Sequence, residues 1–124
     1  MILDSTLKLE IVLTAAKTTN DMDVTVDYLD WNLQGEPTVP SFFRVASNGT
    51  TDVTILAAPT IVGTRREPQR ITVYNKDTAD KIALIKTDNG TTEFIEVRRT
   101  IPTLISLVWE KTTGWYTIGE IERI

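Results

Sequence analysis

Apolar side chains recur at every second position along much of the chain. Leu7, Leu9, Ile11 and Leu13 alternate with Lys8, Glu10, Val12 and Thr14, and Val24, Val26 and Tyr28 alternate with Asp23, Thr25 and Asp27. Ile71 and Val73 alternate with Thr72 and Tyr74, while Val53, Ile55 and Ala57 follow Asn48-Gly49. Successive residues of an extended chain face opposite ways, so each segment predicts a strand with one face on a core. Lys81 to Thr87 and Thr92 to Arg98 flank Asp88-Asn89-Gly90, and Asn-Gly tolerates the positive φ of a tight hairpin turn. Leu104 to Trp109 and Trp115 to Ile118 flank Lys111-Thr112-Thr113-Gly114, a last hairpin. The pattern predicts about eight strands, and no window of eleven or more residues carries a 3.6-residue repeat.

Residue usage points the same way. Valine, isoleucine and threonine supply 44 of the 124 residues, and β-branched side chains lose rotamer freedom on a helix but pack well on a pleated surface. Short strands separated by Gly, Asn or Pro predict an all-β fold, an antiparallel β-sandwich of jelly-roll-like form. A chain of this length forms one domain, 1–124, with segment 1–6 as a candidate arm toward neighbouring molecules. Two longer irregular stretches, Asn32 to Ser41 and Ala58 to Gln69, interrupt the strands. Long loops on a rigid sandwich commonly carry contact function.

Charge and missing residue types narrow the chemistry. Histidine and cysteine are both absent, which excludes serine–histidine and cysteine–histidine nucleophiles, thiol redox chemistry, disulfides and imidazole switching. The six glycines stand singly, so there is no phosphate-cradling loop. The expectation is a non-enzymatic protein with no cofactor. The net charge of −4 argues against non-specific attraction to nucleic acid or anionic membrane. It is unevenly spread, with −5 over residues 1–62 and +1 over 63–124, a polarity that suits packing between copies. No apolar run reaches the length of a membrane span, and Met1-Ile2-Leu3-Asp4 lacks the basic and apolar regions of a secretory signal.

Three groups of residues are candidates for a site. Asp21, Asp23, Asp27 and Asp30 form the densest acidic cluster. It reads as a solvated strand face that discourages edge pairing, with a calcium site and carboxylate catalysis as rivals. Arg65, Arg66 and Arg70 surround Glu67, either exposed and locally paired or gripping carboxylates on a neighbouring protein. Trp109 and Trp115 suit the core. Phe42 and Phe43 are adjacent and cannot both enter one core from a strand, so one of them, and Trp31 ahead of the first long loop, is open to a partner or a sugar.

Several segments together resemble small β-sandwich virion proteins of tailed bacteriophages. They are Met1 to Thr6 with Leu9-Glu10 and Leu13, Val24 to Asp30, Asn48-Gly49-Thr50-Thr51 leading to Ala57-Ala58-Pro59, Ile71 to Asn75 with Asp77-Thr78-Ala79, Asn89-Gly90-Thr91, and Gly114-Trp115. The chain departs from that pattern at Ile101-Pro102-Thr103, where a Gly-Glu turn is expected. The resemblance implies structural work without catalytic residues: a capsid cement or decoration protein, made in the host cytoplasm and placed on the virion exterior. It implies the major capsid protein as partner and a homotrimer as the assembly. A tail or head-fibre adaptor is the alternative, and a carbohydrate-binding module a further one. The contact residues expected under this reading are Met1, Ile2, Leu3, Trp31, Phe42, Phe43, Arg65, Arg66 and Arg70.

Overall fold

Strands form where alternation is strong and end where Gly or Asn allows the chain to reverse. A computed structural model describes residues 1–119, and within them the strands are β1 (Lys8–Leu13), β2 (Asp23–Trp31), β3 (Ser41–Ala46), β4 (Val53–Leu56), β5 (Arg65–Tyr74), β6 (Lys81–Asp88), β7 (Glu93–Ile101), β8 (Ile105–Glu110) and β9 (Gly114–Gly119). They build two antiparallel sheets, a four-stranded one in the order β4-β1-β6-β7 and a five-stranded one in the order β3-β2-β5-β8-β9. The fold is an all-β antiparallel sandwich. Its core is one cluster fed by both sheets, with Leu9, Ile11, Ile55 and Ile85 from the first and Val24, Val26, Ile71, Val73 and Leu107 from the second. Trp109 joins it and tilts against Trp115 at 6.3 Å between ring centroids.

The hairpin turns obey the sequence. Gly90, with φ +92°, turns β6 into β7, while the Asn89 carboxamide accepts the amides of Thr91 and Thr92 at 2.9 and 2.7 Å. Gly114, with φ +87°, does the same for β8 and β9. The departure at Ile101-Pro102-Thr103 is accommodated by a tight turn in which the Ile105 amide donates to the Pro102 carbonyl at 3.2 Å. That turn forces Leu104 to φ +62°, the one non-glycine with positive φ among the described residues.

Three expectations are sharpened. The about eight strands expected come to nine among the described residues, because β3 is extended as well. It lies at a sheet edge, and with five of six residues exposed its hydrophobic pattern has no period. The second irregular stretch ends at Thr64, since β5 already begins at Arg65. Pro68 is tolerated there because the β2–β5 register slips beside it: Asp27 pairs Arg70 but Tyr28 pairs Pro68, leaving Gln69 as the extra residue of a bulge. Finally, segment 1–6, the candidate arm, is anchored to its own sandwich at Leu3. Leu3 is fully buried and bridges to Arg66, and Asp4 closes a turn by accepting the Thr6 amide at 2.9 Å.

Behind β1, a second internal tie fixes the sandwich's opposite end. The Asp77 carboxylate accepts the amides of Thr18, Thr19, Asn20 and Thr78 at 2.7 to 3.1 Å. Desolvation pushes this carboxyl up, but the four amides prevail and hold it far below the ordinary carboxylate value.

Candidate functional site

Both long loops leave from one end of the sandwich. Ladder pairing of Trp31 with Arg65 and of Asp30 with Arg66 places the end of β2 beside the start of β5, so the loop after β2 and the loop before β5 emerge together. Each is internally tied. The Asn32 side chain accepts the amides of Gln34 and Glu36 at 3.0 and 2.9 Å, and Thr64 donates through amide and hydroxyl to the Ile61 carbonyl at 3.1 and 2.6 Å. The loops also touch: a Cβ on Gly63 would lie 2.8 Å from Cδ2 of Leu33. Between them runs an open groove of about 230 Å³ lined by Asp30, Trp31, Thr38, Pro59, Ile61 and Arg66 among others.

The charges at this end are largely engaged within the chain. Arg66 makes a bidentate pair with Asp30, Nε to Oδ1 at 2.8 Å and Nη2 to Oδ2 at 3.1 Å. Its Nη1 donates to the Ala57 carbonyl at 3.0 Å, and its guanidinium lies 4.8 Å from the Tyr28 ring centre. The hydrogen bond to Asp30 raises its pKa above the ordinary arginine value. Arg66, one of the expected contact residues, is thus engaged within the chain, by the nearer carboxylate across the ladder. Trp31 is half-buried, and its indole N–H donates to Glu67 Oε1 at 3.3 Å. Burial pushes the Glu67 carboxyl up, but hydrogen bonds from Lys111, Trp31 and Gln69 outweigh it and lower its pKa. Arg65 and Arg70 remain exposed.

What this end presents is apolar. Val39 and Val62 keep 81% and 80% of their area exposed, and Leu33, Ile61 and Ile2 are also open. Ile2 belongs here because its neighbour Leu3 is bridged to Arg66. Apolar groups gathered on ordered loops are a feature of interaction surfaces. Phe42 and Phe43 extend this apolar character along β3. They point to opposite faces of an edge strand, and both are exposed. Of the contact residues expected from the sequence, Ile2, Leu3, Trp31, Arg65 and Arg66 lie at this end, Phe42 and Phe43 lie along its adjoining edge, and Arg70 sits further along β5 opposite Asp27. Leu33, Val39, Ile61 and Val62 lie on the two long loops expected to carry contacts but were not named individually, although an Ile-Val pair between Pro59 and Gly63 was the available signal. Phe94 and Ile95, exposed on the edge strand β7, were also missed.

The four aspartates do not converge. Asp21 accepts the Gly49 amide at 2.8 Å and the Ser47 hydroxyl at 3.1 Å. Asp23 pairs with Lys76 at 3.0 Å, Asp30 pairs with Arg66, and Asp27 is exposed opposite Arg70. Among the described residues the acids that come together as candidate metal ligands are Glu10, Asp52 and Glu93, on the other sheet. Comparison of the chain with protein-family models, with curated proteins and with solved structures gave no match, so the functional reading of the loop-bearing end rests on its own geometry.

Proposed function

We propose that the chain is a structural protein of a bacteriophage virion, a capsid cement protein that docks its loop-bearing end on the outer surface of the assembled shell. There it bridges neighbouring copies of the major capsid protein, as a homotrimer. The observation that carries this reading is the set of apolar side chains, Leu33, Val39, Ile61 and Val62, exposed on two loops that are tied internally and against each other. Preordered loops lose little conformational entropy on docking, so more of the apolar burial appears as affinity. The resemblance of the segments quoted above supports the virion as the setting.

The mechanism is mass action. A ligand that binds the assembled shell and not its separated subunits stabilises the shell by its binding free energy. Many copies multiply modest contacts. The test mixes the purified chain with shells that lack it, measures copies bound per particle, and then measures the temperature of shell disruption. Hundreds of copies with a raised disruption temperature support the reading; a few dozen copies would favour a tail or head-fibre adaptor. No binding and an unchanged temperature overturn it.

The groove between the loops favours one second reading, a carbohydrate-binding module, because Trp31 lines it beside the polar side chains of Asn32, Thr38, Thr60 and Thr64. Sugar-dependent quenching of tryptophan fluorescence, absent in Trp31→Ala, distinguishes it from cement.

A further inference from the structure

On the outer face of the four-stranded sheet, Glu10 of β1 stands opposite Lys86 of β6 on one side and Thr54 of β4 on the other. Asp52 just before β4 and Glu93 at the start of β7 reach the same place. One carboxylate oxygen from each of Glu10, Asp52 and Glu93 lies within 4.8 Å of the other two. The Lys86 ammonium sits against only part of this cluster, 2.9 Å from Asp52 and 3.1 Å from Glu93. Glu10 is held instead by Lys8, 3.2 Å from its Oε2. Its side chain is 6% exposed, and its Oε1 is buried with no hydrogen-bond partner among the described residues. A buried anionic oxygen without a donor is costly, and native structures rarely leave one so.

We propose that Glu10, Asp52 and Glu93 form a calcium site, in which the ion enters between the carboxylates and displaces the Lys86 ammonium. Three oxygens mutually within 4.8 Å enclose a point no more than about 2.8 Å from each, which accommodates the 2.3–2.6 Å of calcium–oxygen bonds, and calcium accepts irregular carboxylate geometry where magnesium demands a near-ideal octahedron and sheds water reluctantly. Charge favours the exchange. Three carboxylates facing Lys8 and Lys86 leave one negative charge uncompensated; calcium in place of Lys86 neutralises it. Lys86 has a side chain only 10% exposed, and its flexible four-carbon stem is what lets the ammonium swing aside when the ion enters. The ligands come from beside both edge strands, Asp52 just before β4 and Glu93 at the start of β7, and from β1 between them, so a bound ion ties the sheet across its width. Competition from the resident ammonium places the affinity in the weak, near-millimolar class of extracellular calcium modules.

The test is thermal denaturation of the full chain in EDTA, in 5 mM CaCl2 and in 5 mM MgCl2 at matched ionic strength, with calorimetric titration of CaCl2. Calcium is expected to raise Tm by about 3 °C and magnesium by less. Glu10→Gln loses the calcium shift. Lys86→Gln melts lower in EDTA and gains a larger calcium shift, with affinity about tenfold higher because the competing cation is gone. Equal melting in calcium and EDTA for both wild type and Lys86→Gln overturns the proposal, as does a calcium shift that persists in Glu10→Gln or is matched by magnesium. If Lys86→Gln does not fold, the calorimetric titration of the wild type decides.

Discussion

Leu3 and Arg66 exchange both of their backbone hydrogen bonds, each amide donating to the other's carbonyl at 2.8 Å. Since β8 pairs with β5 only from Arg70 onward, Leu3 occupies a stretch of β5 that the neighbouring strand has left. Its side chain enters the core completely, and burial of a leucine contributes about 1.5–3 kcal/mol. The beginning of the chain is thereby clamped at the end that carries both long loops.

Leu3→Ala is expected to cost about 2–4 kcal/mol, because the site is enclosed and the cavity cannot collapse fully. Chemical denaturation checks this. A variant within 0.5 kcal/mol of wild type would mean that the clamp holds nothing.

Arg66→Lys keeps the charge but loses the forked contact with Asp30 and the third donor to Ala57. Both partners are partly exposed, so screening limits the expected loss to about 1 kcal/mol. A double-mutant cycle with Asp30→Asn isolates the coupling, expected to be favourable and reduced by salt.

Leu33→Ser with Val62→Ser is expected to leave stability within about 0.5 kcal/mol, as both side chains are exposed. Binding to shells should weaken at least about tenfold if these side chains sit at the centre of the contact. Gly63→Ala acts differently. It combines φ +92° with a Cβ only 2.8 Å from Leu33, so it strains the loop and parts the two loops. Weaker shell binding with an intact core, read from the denaturation slope and from the affinity, is the expected pair of results.

Acid stability follows from Asp77 and Glu67, whose folded-state pKa values are both lowered. A carboxyl with a depressed folded pKa stabilises fully above its unfolded value, and that contribution is lost as pH falls through the folded value. For Asp77 the ordinary value is 3.8, so stability should be flat above this region and decline as pH drops below it. Asp77→Asn should lower stability at neutral pH and flatten the acid decline. A decline as steep as that of wild type would assign it to other groups.

Leu104→Gly should raise stability by up to about 1 kcal/mol. The left-handed conformation that costs a leucine roughly 1–2 kcal/mol is nearly free for glycine, and the entropy of the unfolded chain takes back part of the gain. The exposed Leu104 side chain gives up little packing. A melting curve settles the sign.

Alternation along the chain was enough to read eight of the nine strands, the two-sheet class and the Gly90 and Gly114 turns. These depend on contacts between near neighbours and on which face of a strand must be dry. The core positions Leu9, Ile11, Val24, Val26, Ile71 and Val73 were legible for the same reason, and so were the two long irregular stretches, 32–41 and 58–69, although the second ends at Thr64 where β5 takes over. Strand β3 was not: it is an edge strand on which only Val45 packs against the core, so it has no hydrophobic period to detect. Nor could local pattern say that Leu3 enters the core, that Arg66 turns inward to Asp30, or that the carboxylates of Glu10, Asp52 and Glu93 converge. Such pairings join residues tens of positions apart, and register between strands, which only the packed sheets establish, decides which side chains meet.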